Sequence, residues 1–140
     1  MSDVVGQKIA SLQRCIARAR QELAQAGDRF PADHTAQDAA LLNVIRACET
    51  AIDLANKLDR KQHAGIPSET RESFAILSRE KLVLEDLSVR MQKMVGFRNL
   101  AVHRYRELDM NIVVAVIRDR LDDLLQFAET VRPLLEERDA

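Results

Sequence analysis

Apolar residues recur at three- and four-residue steps through most of this chain, and turn-forming residues interrupt the pattern at a few places. Ile9, Leu12, Ile16, Ala19 and Leu23 share one helical stripe, while Lys8, Arg14, Arg18 and Glu22 lie on other faces, so residues 4–26 read as one helix. Gly27-Asp28 and then Phe30-Pro31 end it. Thr35, with Asp38 three residues on, resembles a capping box. It would open a second helix to about Gln62 that turns Leu41, Ile45, Cys48, Ile52 and Ala55 inward. Gly65-Ile66-Pro67 breaks the chain, after which Ser68 or Thr70 can cap a short helix carrying Phe74 and Leu77. Leu84, Leu87, Met91 and Val95 begin a fourth helix. Asp109 can cap the last, whose Val113, Ile117, Leu121, Leu124, Ala128 and Val131 face inward and whose weak end is marked by Pro133.

No stretch alternates with the period of a strand, no glycine-rich phosphate loop is present and nothing repeats. Four long helices and one short one, joined by connections of a few to about ten residues, predict an all-α antiparallel bundle forming a single domain over residues 1–140. Charged residues of both signs make up 31% of the chain, as on a soluble surface. The longest apolar runs, such as Ile112 to Ile117, fall far short of the roughly 20 residues that span a bilayer, so no membrane partner is expected. The start, Met-Ser-Asp-Val-Val-Gly, lacks a basic region followed by an apolar one. Cys15 and Cys48 sit at helical apolar positions and read as buried reduced thiols, in keeping with a cytoplasmic protein. His34 and His63 lie near helix ends without partners at zinc-like spacing, so no metal or other cofactor is expected.

Charge changes this picture at one place. Between Ser88 and Arg106 there are five cations, Arg90, Lys93, Arg98, Arg104 and Arg106, and no acidic residue. The net charge is −1, so the remainder of the chain stands at about −6. A polyanion would bind at this segment, because locally concentrated positive charge attracts phosphates whatever the net charge. The same segment holds Arg98, His103 and Tyr105, the only tyrosine. Histidine can take and give a proton near neutral pH, and arginine forks onto phosphate oxygens. Together they suit attack of an RNA 2′-hydroxyl on its neighbouring phosphodiester without a metal. Asn99 could fix a ribose or phosphate oxygen, and Asp86, Glu107 or Asp109 could orient His103. On a straight helix Arg98 and His103 point about 140° apart. Either the helix ends near His103 and the following turn swings Tyr105 round, or the site is shared between two copies of the chain.

The run Arg98-Asn99-Leu100-Ala101-Val102-His103-Arg104-Tyr105 resembles the RNxxVHxY signature of HepT toxins, helical ribonucleases of the HEPN superfamily. Gly65-Ile66-Pro67 with Arg71-Glu72-Ser73-Phe74-Ala75-Ile76-Leu77, and Lys93-Met94-Val95-Gly96-Phe97, are similar to other segments of the same family. The resemblance implies a four- to five-helix HEPN bundle in a two-fold homodimer whose motif helices face each other across a cleft. It implies an endoribonuclease toxin with Arg98 and His103 as the catalytic pair and Asn99 in support. It also implies an MntA-type nucleotidyltransferase antitoxin that transfers AMP from ATP onto Tyr105. Lys93, Arg104 and Arg106 are expected to contact RNA phosphates. A different class of function fits the same residues: a non-catalytic helical partner that binds nucleotide or RNA and serves as substrate and scaffold for the nucleotidyltransferase.

Overall fold

The computed structural model describes residues 3–137. Helix α1 spans Val4–Ala26, and the Asp3 carboxylate caps it by accepting from the Gly6 N–H. It stops at Gly27, whose φ of 53° is a left-handed conformation that a side chain would strain. A 3₁₀ turn over Gly27–Ala32 leads to α2, His34–Lys61. The cap of α2 is Asp33, which accepts from the Ala36 N–H; Thr35 already lies inside the first turn. The 3₁₀ turn decides this, because the Asp33 N–H and the buried Gln37 amide both donate to the Phe30 carbonyl and fix where α2 begins.

Helix α3, Thr70–Arg79, has Glu69 at its cap position without a side-chain bond. Instead Glu72, in its first turn, accepts from the Ser68 backbone N–H and hydroxyl. Helix α4 runs Glu85–His103 and α5 runs Met110–Ala115, the latter capped by Asp109 as expected. A π turn over Val116–Arg120 joins α5 to α6, Leu121–Glu136. The Leu121 N–H reaches back five residues to the Val116 carbonyl, and the Ile117 carbonyl accepts from Arg20 of α1 at 3.1 Å. Pro133 does not end α6. The Lys61 ammonium gathers the carbonyls of Leu134, Leu135 and Glu137 and so holds the last turn closed.

Side-chain bonds fix the directions of the rods. Asp53 meets Lys8, so α1 and α2 are antiparallel; Asp38 meets Tyr105 while Glu49 meets Arg98, so α4 also runs against α2. Apart from Ile45, which is half-buried, and Leu84, which is 74% exposed, the predicted inward residues are buried. Phe74 of α3 and Phe127 of α6 meet edge to face with ring centres 5.1 Å apart, and the Ser88 hydroxyl donates to the Phe74 carbonyl, pinning α4 to α3. No described helix is long and apolar enough to cross a membrane. Cys48 is buried, and burial, with the charge of Glu49 beside it, pushes its thiol up to about 12; Cys15 is only partly buried, against expectation.

Candidate ribonuclease site

The motif occupies the last turn and a half of α4 and the bend that follows. Helix α4 stops at His103, Arg104 leaves the helical conformation at φ −135° and ψ 44°, and Tyr105–Glu107 forms a 3₁₀ turn. The helix does end at His103, and the bend takes Tyr105 off it and lays its ring towards α2, but away from His103, so the turn does not gather the three side chains within one chain. On α2 the Tyr105 hydroxyl donates to the Asp38 carboxylate. That hydrogen bond, burial and the negative charge of Asp38 together push the phenol up to about 12.

Arg98 does not share His103's face. Its guanidinium, 19% exposed, is drawn to α2, where Nε and Nη2 reach one oxygen of Glu49 at 2.7 and 2.6 Å. Nη1 donates to the Asn99 side-chain oxygen at 2.7 Å. About two of its five N–H donors remain for a phosphate. His103 is exposed, at the helix end where a positive charge is favoured. With Gly96, Asn99, Leu100 and Arg104 it lines a shallow open depression. Asn99 lies four residues before His103, about 40° round the helix, and so joins the two halves of the motif. It holds Arg98 and lines the depression beside His103.

The expected cations divide. Arg90 is consumed by Asp86, Asp123 and Gln126. Arg104 and Arg106 are exposed around Tyr105, Arg104 in a loose pair with Glu107 at 3.4 Å. Lys93 is exposed but lies about 80° round α4 from His103. It lines an apolar groove with Met94, Phe97, Ile112 and Val116. Of the three acids that could orient His103, Asp86 pairs with Arg90 and Glu107 with Arg104, while Asp109 caps α5, as its position also predicted.

Three functional neighbours escape a reading of the sequence. Asp38 and Glu49 are eleven residues apart on α2, hence within about 20° of each other and about 16 Å apart along its axis. One carboxylate meets the motif's tyrosine and the other its arginine. Their shared stripe is a signal in the sequence, but only the packing of α2 on α4 says what they face. The third is Arg71 of α3. A Cβ placed on Gly96 would lie 2.6 Å from its Nη2, so the glycine admits an exposed guanidinium to the edge of the depression.

Comparison with known proteins agrees with this architecture. The chain is 43% identical over 132 residues to the mRNA nuclease HepT of Shewanella oneidensis, covering 94% of this chain and 98% of that protein. Its fold superposes with a TM-score of 0.88 on the tri-AMPylated Shewanella oneidensis HEPN toxin solved in complex with MNT antitoxin, at 42% identity and covering 95% of this chain and 99% of the other. A toxin–antitoxin complex solved with AMP-PNP gives the same TM-score of 0.88 at 42% identity, over 94% and 99% of the two chains. The family model described as ribonuclease HepT-like matches residues 12–131, and on this match and the near full-length identity the chain belongs to the HepT-like ribonuclease family.

Proposed function

We propose that the chain is a metal-independent endoribonuclease toxin of a type VII-like toxin–antitoxin pair, silenced when a MntA-type nucleotidyltransferase transfers AMP to Tyr105. The observation that carries this reading is the near full-length likeness to an mRNA nuclease, joined to a motif that places His103 and Asn99 at an exposed depression. In the reaction the RNA 2′-oxygen attacks phosphorus and the bond to the 5′-oxygen breaks. His103 takes the 2′-hydroxyl proton, and the partner subunit's His103 protonates the leaving 5′-oxygen. Arg98 stabilises the charge that builds on the phosphoryl oxygens, and Asn99 keeps its guanidinium in register. Lys93, Arg104 and Arg106 contact phosphates outside the reacting one.

A homodimer supplies the second histidine. Its support is the outer face of the motif helix, which carries exposed Val89 and borders the apolar groove that half-exposed Ile112 also lines. A second copy laid along α4 would cover these positions. The scaffold reading keeps one point in its favour: within one chain Arg98 is folded onto Glu49 rather than towards His103.

The test follows the switch. Purified unmodified chain should cleave single-stranded RNA. Incubation with the partner nucleotidyltransferase and ATP should add AMP mass and stop cleavage, whereas Tyr105→Phe should keep most of its activity and gain no mass. If Tyr105→Phe still gains AMP, the acceptor is elsewhere. If it is inactive on RNA, the hydroxyl belongs to the cleavage chemistry. An unmodified wild type that never cleaves would favour the scaffold.

A further inference from the structure

We propose that Asp38 is the proton acceptor for modification of Tyr105: this chain supplies, from α2, the base that activates its own acceptor hydroxyl. The proposal rests on the reading of Tyr105 as the AMP acceptor and goes beyond it, because it assigns a catalytic group for the transfer to the modified protein rather than to the modifying one.

The geometry points there directly. The phenolic hydroxyl donates to one Asp38 oxygen, so the proton that must leave already has a carboxylate as its acceptor. Both residues are exposed, Tyr105 at 40%, so a nucleotide carried by another protein can approach the phenolic oxygen. Beyond the bond to Tyr105 that ties the bend to α2, Asp38 has no evident structural duty. The cap of α2 is Asp33, and among the described residues Asp38 makes no ion pair, although every other hydrogen-bonded acid in the motif's surroundings is matched to an arginine or a helix end. The phenol, held up at about 12, is protonated at neutral pH, so a free phenolate is not the nucleophile and loss of the proton has to accompany attack.

The step balances without any further reagent than a nucleoside triphosphate. The phenolic oxygen forms a bond to the α-phosphorus as its O–H bond breaks towards Asp38. The bond from the α-phosphorus to the bridging oxygen breaks, and pyrophosphate leaves with the electron pair. Asp38 then returns its proton to water. Protonation also neutralises the carboxylate while the anionic phosphate closes on it, which removes a like-charge repulsion from the transition state. Arg104 and Arg106, exposed on either side of Tyr105, can hold the remaining phosphate charge.

The chain contains one tyrosine and no tryptophan, so phenolate absorbance in the near ultraviolet reports Tyr105 alone. In the wild type it should titrate at about 12, and in Asp38→Asn it should fall back towards the ordinary value of about 10. AMP transfer should then be timed by intact mass, with the full chain, its nucleotidyltransferase partner and ATP. Asp38→Asn and Asp38→Ala should be slowed about 10²- to 10⁴-fold in kcat, with KM for ATP little changed and Asp38→Glu recovering part of the rate. Unchanged melting and unchanged complex formation are the folding controls. A tyrosine that titrates alike in wild type and Asp38→Asn overturns the proposal, as does transfer to Asp38→Asn at the wild-type rate. The Tyr105→Phe control separates the two layers. Transfer that survives Tyr105→Phe rejects the acceptor, whereas transfer blocked by Tyr105→Phe but untouched by Asp38→Asn rejects only the base.

Discussion

Replacing Glu49 with alanine should slow RNA cleavage strongly while leaving the fold standing. Glu49 holds Arg98 through Nε and Nη2 at 2.7 and 2.6 Å. Charge centres about 4 Å apart attract by about 4 kcal/mol at the effective dielectric of a protein surface. Glu49 is 47% exposed, so water and salt cancel most of that, and about 1 kcal/mol is left for stability. In a domain of this size that lowers Tm by about 3–4 °C. Catalysis should suffer more. Without Glu49 the guanidinium keeps only its bond to Asn99, and a misplacement of about 1 Å can cost up to about 10²-fold. The expected loss is about 10- to 100-fold in kcat/KM, or about 1.4–2.7 kcal/mol of transition-state stabilisation. It should fall on kcat, because the Arg98 charge remains to attract RNA. Glu49→Gln retains an oxygen acceptor and should recover part of the rate. Single-turnover cleavage of a labelled RNA at saturating protein isolates the chemical step, with thermal melts alongside. A wild-type single-turnover rate in Glu49→Ala would refute the positioning argument. A rate recovered in full by stabilising the fold would reduce Glu49 to a structural residue.

Two further outcomes follow from the same structure. Asp59 is buried with neither carboxylate oxygen bonded to any of the described residues, and burial, opposed in part by Arg79, pushes it up from 3.8 to about 6. Because the folded state then binds the proton more tightly, Asp59 costs stability above about pH 6, and the cost disappears as pH falls towards 4. Asp59→Asn should therefore unfold later than the parent at pH 7.5, by up to about 3 kcal/mol, with the advantage gone near pH 4; equal denaturation midpoints at both pH values would contradict this. Removing Lys93, Arg104 and Arg106 together should weaken RNA binding and flatten its salt dependence, by about 0.7 in slope for each phosphate no longer neutralised; an unchanged slope would place the RNA elsewhere.

How much of this can be read from the chain depends on the range of each interaction. The stripe from Ile9 to Leu23 and the stripe from Val113 to Val131 announce their helices, because burial of one face repeats every turn. Caps are legible where one candidate stands alone, as at Asp109, and misleading where a neighbouring turn chooses between two, as at Asp33 and Thr35. Pro133 marks the end of α6 a few residues too early, because Lys61, far away in sequence, closes the helix beyond it. The motif locates the site, but periodicity cannot say that Arg98 leans onto Glu49 or that Tyr105 reaches Asp38, since both partners come from a helix packed against α4 rather than from α4 itself. Leu84 joins the predicted inner stripe only by spacing; it precedes the first turn of α4 and faces out.

The central claim is that Arg98 and His103 make this chain a ribonuclease, and cleavage of single-stranded RNA by the purified, unmodified protein in the presence of EDTA tests it most directly. The account predicts turnover by the wild type and a loss of about 10²- to 10⁴-fold in His103→Ala, which should melt like the parent, with Arg98→Ala similarly impaired and melting about 3–4 °C lower for want of its Glu49 pair. A His103→Ala protein that cleaves at the wild-type rate, or a wild type that EDTA silences, would contradict it.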